Sequence, residues 1–241
     1  MAGHSHWAKI KRAKGATDKK RATVWSKISR KIIIAAKNGG DPRDNLALRY
    51  VIEEAKASNM PRDTIQNAIK KGTGELGAEN YESKLYEGYG PRGVALIIDA
   101  LTNNPSRTAA YLREIFERNG GSLATSGSVA FQFTKRGVIT VKTGAIDEDK
   151  LMEVALEAGA EDVASEGEGF AVLTTPTGFH RVREALVAAA VPFESAEISQ
   201  IPMSTVAVDA DTAAVVSKLI DALEDNDDVQ NVHHNAELPE G

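Results

Sequence analysis

The chain has 241 residues, 42% of them hydrophobic, 26% charged and 5% aromatic, which suits two or three small domains with aliphatic cores. With no cysteine there is no disulfide scaffold, thiolate zinc centre or cysteine nucleophile, and no apolar run approaches the roughly 20 residues that span a bilayer. The net charge of −5 hides a split: residues 1–40 hold eight Lys and three Arg against one acid, net +10, whereas residues 143–241 hold four basic and 21 acidic residues, net −17.

Residues 1–23 are rich in Lys, Gly and Ala and poor in apolar side chains, and read as a flexible or partner-ordered arm. Val24, Ile28, Ile32 and Ala35 recur at helical spacing over 24–38, and Gly39-Gly40 ends that helix. Asp41-Pro42 is a start signal for a second helix with Leu48, Val51, Ile52 and Ala55 on one face. Pro61 opens a third, with Ile65, Ala68 and Ile69, closed by Gly72. Three short amphipathic helices make a small bundle.

Residues 76–85 read as a linker. A continuous apolar run, 94–101, reads as a buried strand. Asn104-Pro105 starts a helix with Thr108, Leu112, Ile115 and Phe116 inside, and Gly120-Gly121 ends it. Val129, Phe131 and Phe133 alternate as in a strand over 128–134. Next come a strand at 138–141, a helix capped by Asp147, strands near 161–166 and 170–174, a helix around Val182 and Leu186, and a strand at 195–201. That order, βαββαβ, is one ferredoxin-like unit. The remainder is a strand at 204–209, a helix with Val216, Leu219, Ile220 and Leu223, and a strand at 229–237. Joined to the elements of 94–134, it completes a second such unit. The expected fold is therefore α+β: an N-terminal three-helix bundle (1–75) plus two ferredoxin-like βαββαβ domains, one (135–203) inserted in the other (76–134 with 204–241).

Two stretches, beginning at Gly72 and Gly88, match G-x-G-x-x-G, but neither lies between a strand and a helix as a dinucleotide fingerprint requires. No phosphate loop, H-E-x-x-H pair or calcium loop occurs. No catalytic residue, cofactor, metal or small-molecule substrate is expected, and no membrane partner.

The candidates are for nucleic-acid binding. Trp7, Lys9, Lys11, Arg12, Lys14, Lys19, Lys20, Arg21, Lys27, Arg30 and Lys31 fill the arm and first helix. Cations neutralise phosphates and release counterions, and an indole can stack on a base. Trp25, interleaved with them, lies in the first helix and reads more readily as core, whereas Trp7, among polar residues, suits binding and packing alike. A second candidate surface follows from topology: the segments 86–93 and 120–128, expected at one end of a sheet, carry Tyr86, Tyr89, Arg92 and Ser126. At the opposite end, Arg107 stands at a helix N-terminus suited to an anion.

These residues carry a resemblance. Ala2-Gly3-His4-Ser5, Trp7, Asp18 and Lys20-Arg21 resemble the opening of the YebC/PmpR family. Tyr86-Glu87-Gly88-Tyr89-Gly90-Pro91, Arg107-Thr108, Gly120-Gly121, Gly127-Ser128-Val129-Ala130-Phe131 and Glu157-Ala158-Gly159-Ala160-Glu161-Asp162 are similar to its later signatures. The similarity runs over essentially the whole chain. It implies three domains, no enzymatic activity, a cytoplasmic location and a DNA-binding transcriptional regulator. Mitochondrial relatives are translational activators, and bacterial ones are linked to ribosomes on proline-rich stretches. The alternatives are therefore a ribosome- or tRNA-bound translation factor and, third, a protein-interaction scaffold.

Overall fold

The computed structural model describes residues 18–77, 79–142, 144–166 and 169–238. It is α+β, with three N-terminal helices followed by two sheet-containing domains. The described residues divide into two compact units, one of 18–128 with 209–232 and the other of 129–208 with 233–238.

The first unit begins with helices α1 (Asp18–Ala36), α2 (Leu46–Ala57) and α3 (Arg62–Thr73). Both α2 and α3 pack chiefly on α1. Ile28, Ile32, Ile33, Leu48, Ile65 and Ile69 close the core, with Trp25 packed against it. At Gly72 the approach is tight: a Cβ there would lie 2.5 Å from the Ile33 carbonyl oxygen, so only glycine lets α3 cross α1 this closely.

Helix α2 starts later than Asp41-Pro42 suggests. The Asp41 carboxylate instead accepts from the Arg43 side chain and, at 2.9 Å, from its backbone N–H. Those bonds hold the Asp41 carboxyl at about 2. The cap is Asn45, whose Oδ1 accepts from Leu48 N–H at 3.0 Å. Its Nδ2 donates to the carbonyls of Ala35 and Gly39, each at 2.8 Å. One buried amide thus satisfies the start of α2 and the end of α1.

The end of the segment expected to be a linker, residues 82–85, instead opens strand β1 (Glu82–Tyr89). It pairs antiparallel with β2 (Ala95–Thr102), from Glu82 opposite Thr102 to Tyr89 opposite Ala95. Polar residues hide it: its first half is exposed, and the later residue Gly88 leaves the room that Phe116 fills. Helix α4 (Pro105–Arg118) follows, capped by Asn104 as expected, then β3 (Ser122–Ala124).

Phe131 corrects the expected strand at 128–134. Residues 130–132 form a 3₁₀ turn, with Val129 and Phe133 buried and Phe131 68% exposed, so the three apolar residues do not share one strand face. The strand that follows, β4 (Phe133–Lys142), belongs to the second unit. There β4, α5 (Glu148–Glu157), β5 (Asp162–Glu166), β6 (Gly169–Thr174), α6 (Phe179–Ala188) and β7 (Ser195–Pro202) form the expected βαββαβ. The sheet order is β5-β6-β4-β7, antiparallel throughout, over a core of Ile139, Leu151, Phe170, Val182 and Leu186.

After β7 the second unit continues to residue 208, residues 209–232 belong to the first unit, and 233–238 to the second again. Strand β8 (Val206–Ala207) does not join the first sheet; it pairs in parallel with β10 (Ala236–Glu237). Helix α7 (Ala210–Glu224) leads to β9 (Val229–His234), which completes a sheet of order β3-β1-β2-β9. The place expected for residues 204–209 is taken by β1, so the strand order in space is ferredoxin-like while the chain order differs.

Replacing Asn45 by Ala should lower stability by about 2 kcal/mol, since a cap and two buried carbonyl bonds go together. Chemical denaturation would read this as a lower midpoint at unchanged slope; an unchanged midpoint would mean that water replaces the amide.

Candidate nucleic-acid interface

The basic residues of the arm divide by position. Trp7, Lys9, Lys11, Arg12 and Lys14 lie outside the described residues, and Lys19 and Lys20 fall in the first turn of α1. Arg21, one position on, is exposed. The remaining three cations of α1 are engaged within the first unit. Lys27 Nζ donates to the Glu224 carbonyl oxygen at 2.7 Å. Arg30 donates to the Asp227 carbonyl oxygen at 2.5 Å, pairs with the Asp228 carboxylate at 3.1 Å and lies over the Tyr81 ring. Lys31 pairs with Glu54 at 2.8 Å. Trp25 joins them as structure: its Nε1 donates to the Ser58 carbonyl oxygen at 3.0 Å.

Asp228 is the centre of this arrangement, and no spacing in the sequence marks it. Its side chain is 7% exposed, and that of Arg30 is 12% exposed. The carboxylate also takes Arg107 Nη2 at 3.1 Å, Thr108 Oγ1 at 2.7 Å and Thr102 Oγ1 at 3.3 Å. Its backbone carbonyl accepts from Leu101 N–H at 2.8 Å. A helix, a strand, the start of another helix and the turn before β9 all meet on one carboxylate. The only signal was the acidic run Glu224–Asp228, which matches no calcium loop and offers no partner by spacing.

The second candidate surface is not one surface. Tyr86 and Tyr89 stand on β1 rather than in a loop, three residues apart and so on opposite faces. Tyr86 belongs with Arg107: its hydroxyl donates to the Pro105 carbonyl oxygen at 3.0 Å. Burial, and next the Asp228 charge, push its phenol up. Tyr89 belongs with the segment 125–128, its hydroxyl donating to the Ser128 carbonyl oxygen at 2.8 Å. Beside it Gly127 N–H donates to Glu87 Oε1 at 2.7 Å, and Glu87 is a buried acid that sequence reasoning missed. Ser126 is exposed on that segment. Arg92 sits in the β1–β2 turn at φ 59°, a left-handed conformation unusual for a side chain of its size, with its guanidinium exposed and 4.0 Å from Asp209.

Comparison with known proteins adds the following. Residues 5–75 match the family model described as the TACO1/YebC protein N-terminal domain, and residues 81–236 match the one described as the TACO1/YebC second and third domain. A "probable transcriptional regulatory protein" of Treponema denticola is 52% identical over 242 residues, covering 100% of this chain and 98% of that protein. One of the same name from Clostridium beijerinckii is 50% identical, covering 100% and 99%. Among solved structures, the conserved hypothetical protein Aq1575 of Aquifex aeolicus is similar at a TM-score of 0.86, with 44% identity and 98% of each chain covered.

Substituting Asp228 by Ala should destabilise the first unit by about 3–5 kcal/mol, because it leaves a buried guanidinium without its countercharge. Arg30→Ala should cost a comparable amount, and the two changes together should cost less than their sum. A double-mutant cycle by denaturation checks this; full additivity would dissolve the node.

Proposed function

The chain belongs to the TACO1/YebC family, and on that premise we infer that it is a non-enzymatic, nucleic-acid-binding regulator of gene expression, working in the cytoplasm with DNA as its target. The observation that carries the reading is the net charge of +10 over residues 1–40, set against −17 over 143–241. A chain of net negative charge gains little from approaching nucleic acid at random. One whose cations sit in a single segment approaches by that end, with counterion release as the driving term. The names of its relatives, probable transcriptional regulatory proteins, support the same reading. Residues 1–23, with Trp7 as a stacking side chain, would supply most of the phosphate contacts; Lys27, Arg30 and Lys31 serve the fold first.

A second reading rests on the same arm. An acid-poor segment with an indole is also chemistry for unpaired RNA bases, as in a ribosome- or tRNA-bound translation factor.

Sedimentation of the native protein in lysate at moderate salt separates the two. On the DNA reading, the fast-moving fraction disappears after DNase and survives RNase. Co-migration with ribosomes that survives DNase and disappears with RNase would replace it with the translation reading. A chain lacking residues 1–23 should lose the fast fraction either way; retention would point to a protein-interaction scaffold.

A further inference from the structure

Helix α3 presents a face that the fold does not use. Arg62, Asp63, Gln66, Asn67 and Lys70 are all exposed. At 100° per residue they fall on one arc of roughly 140°. Ile65, Ala68 and Ile69 hold the opposite side of the helix in the core. Among the described residues, no hydrogen bond or ion pair engages the side chains of Arg62, Gln66, Asn67 or Lys70. This contrasts with α1 and the turn after it, where Lys27, Arg30, Lys31 and Lys37 all have partners within the unit. The positive charge of the bundle that faces outward without a partner therefore includes Arg62 and Lys70 on the α3 arc.

The composition of that arc is specific. Along the helix axis, two cations, Arg62 and Lys70, bracket two carboxamides, Gln66 and Asn67. Arginine pairs with guanine O6 and N7, and a carboxamide pairs with adenine N6 and N7, in the major groove of B-form DNA. The major groove of an RNA duplex is too narrow and deep for side chains to read. Asp63, the one acid on the arc, is at the first turn, where it also complements the helix dipole.

The connection suits the same task. Helices α2 and α3 are joined by Ser58–Pro61, with Asn59 left-handed at φ 54° and Met60 buried as an anchor. A helix, a short turn containing a left-handed residue and a second helix with a polar outer face is the arrangement that delivers a helix to a groove. The Gly72 crossing fixes α3 against α1, so the arc is carried on a rigid support.

We propose that α3 is a reading helix: Arg62, Gln66, Asn67 and Lys70 enter the major groove of double-stranded DNA, the amides contacting base edges and the two cations flanking phosphates. The proposal rests on the nucleic-acid reading above and gives it a site.

The test begins with selection of duplexes from a randomised DNA pool by the full-length protein. The same pool is presented as single-stranded RNA. Binding to a selected and to a scrambled duplex is then measured at two salt concentrations for three variants. The first is Gln66→Ala with Asn67→Ala. The second is Arg62→Ala with Lys70→Ala. The third replaces Lys9, Lys11, Arg12 and Lys14 by Ala. All sites in the first two are exposed helix positions where Ala is well tolerated, and thermal melts confirm folding. The first variant should bring selected and scrambled duplexes together, by on the order of tenfold or more, with its salt slope unchanged. The second should weaken both duplexes alike and flatten the salt slope. Variants of α3 that discriminate and bind like wild type, while the arm variant loses binding, would overturn this proposal and leave the nucleic-acid reading standing. Enrichment from the RNA pool alone would overturn it too. No enrichment from either pool would overturn both.

Discussion

The Asp228 carboxylate, itself nearly closed to water, receives the buried Arg30, the more exposed Arg107 and two hydroxyls. Burying a charge is costly, and a carboxylate persists there only with its full set of donors. Those donors come from α1, from the end of β2 and from the first turn of α4. None of the three elements can shift without leaving a charge exposed to a low-dielectric surrounding. The bundle and the first sheet therefore hold one arrangement, and the surfaces they present are fixed together.

The neighbourhood of Asp228 also explains why cations that look destined for an external partner turn inward. Helix α7 ends with Asp221 and Glu224, followed by Asp225 and Asp227, where the helix dipole already concentrates negative charge. Left alone, that end would be unfavourable. Lys27 and Arg30 place ammonium and guanidinium groups on its last carbonyls and on the turn that follows. A cation used in this way is a capping group supplied from another part of the chain. It remains part of the field that a polyanion feels, but its geometry is set by the protein.

Much of this architecture was legible in the chain. The apolar spacing of α3, the Asn104-Pro105 start of α4, the Asp147 cap of α5 and the whole βαββαβ of the second unit follow from local periodicity and capping. Strand β1 was not legible, because its first four residues are solvent-facing and its inward position is a glycine shaped by Phe116. Phe131 misled because its apolar side chain keeps the i, i+2 spacing of Val129 and Phe133, yet a 3₁₀ turn carries it outward while they stay buried. The site divides similarly. Charge counts located the basic segment but not its internal partners: Lys27 and Glu224 are 197 residues apart, and no short-range rule connects them. The outer face of α3 carried no flag either, since polar residues on the outside of an amphipathic helix are the common case until their partners are known to be missing.

The placement of β9 has a consequence for how the protein is made. The second sheet, β4 to β7, is contiguous in the chain and can close as soon as residue 202 has left the ribosome. The first sheet cannot. Its strand β2, almost wholly buried in the finished molecule, waits beside an empty edge until β9 is synthesised. During that interval Arg30 and Arg107 also lack their shared carboxylate. The last tenth of the chain is thus a checkpoint: a product truncated before it keeps an open apolar edge and unneutralised cations, and is set apart from the completed protein for chaperones and proteases.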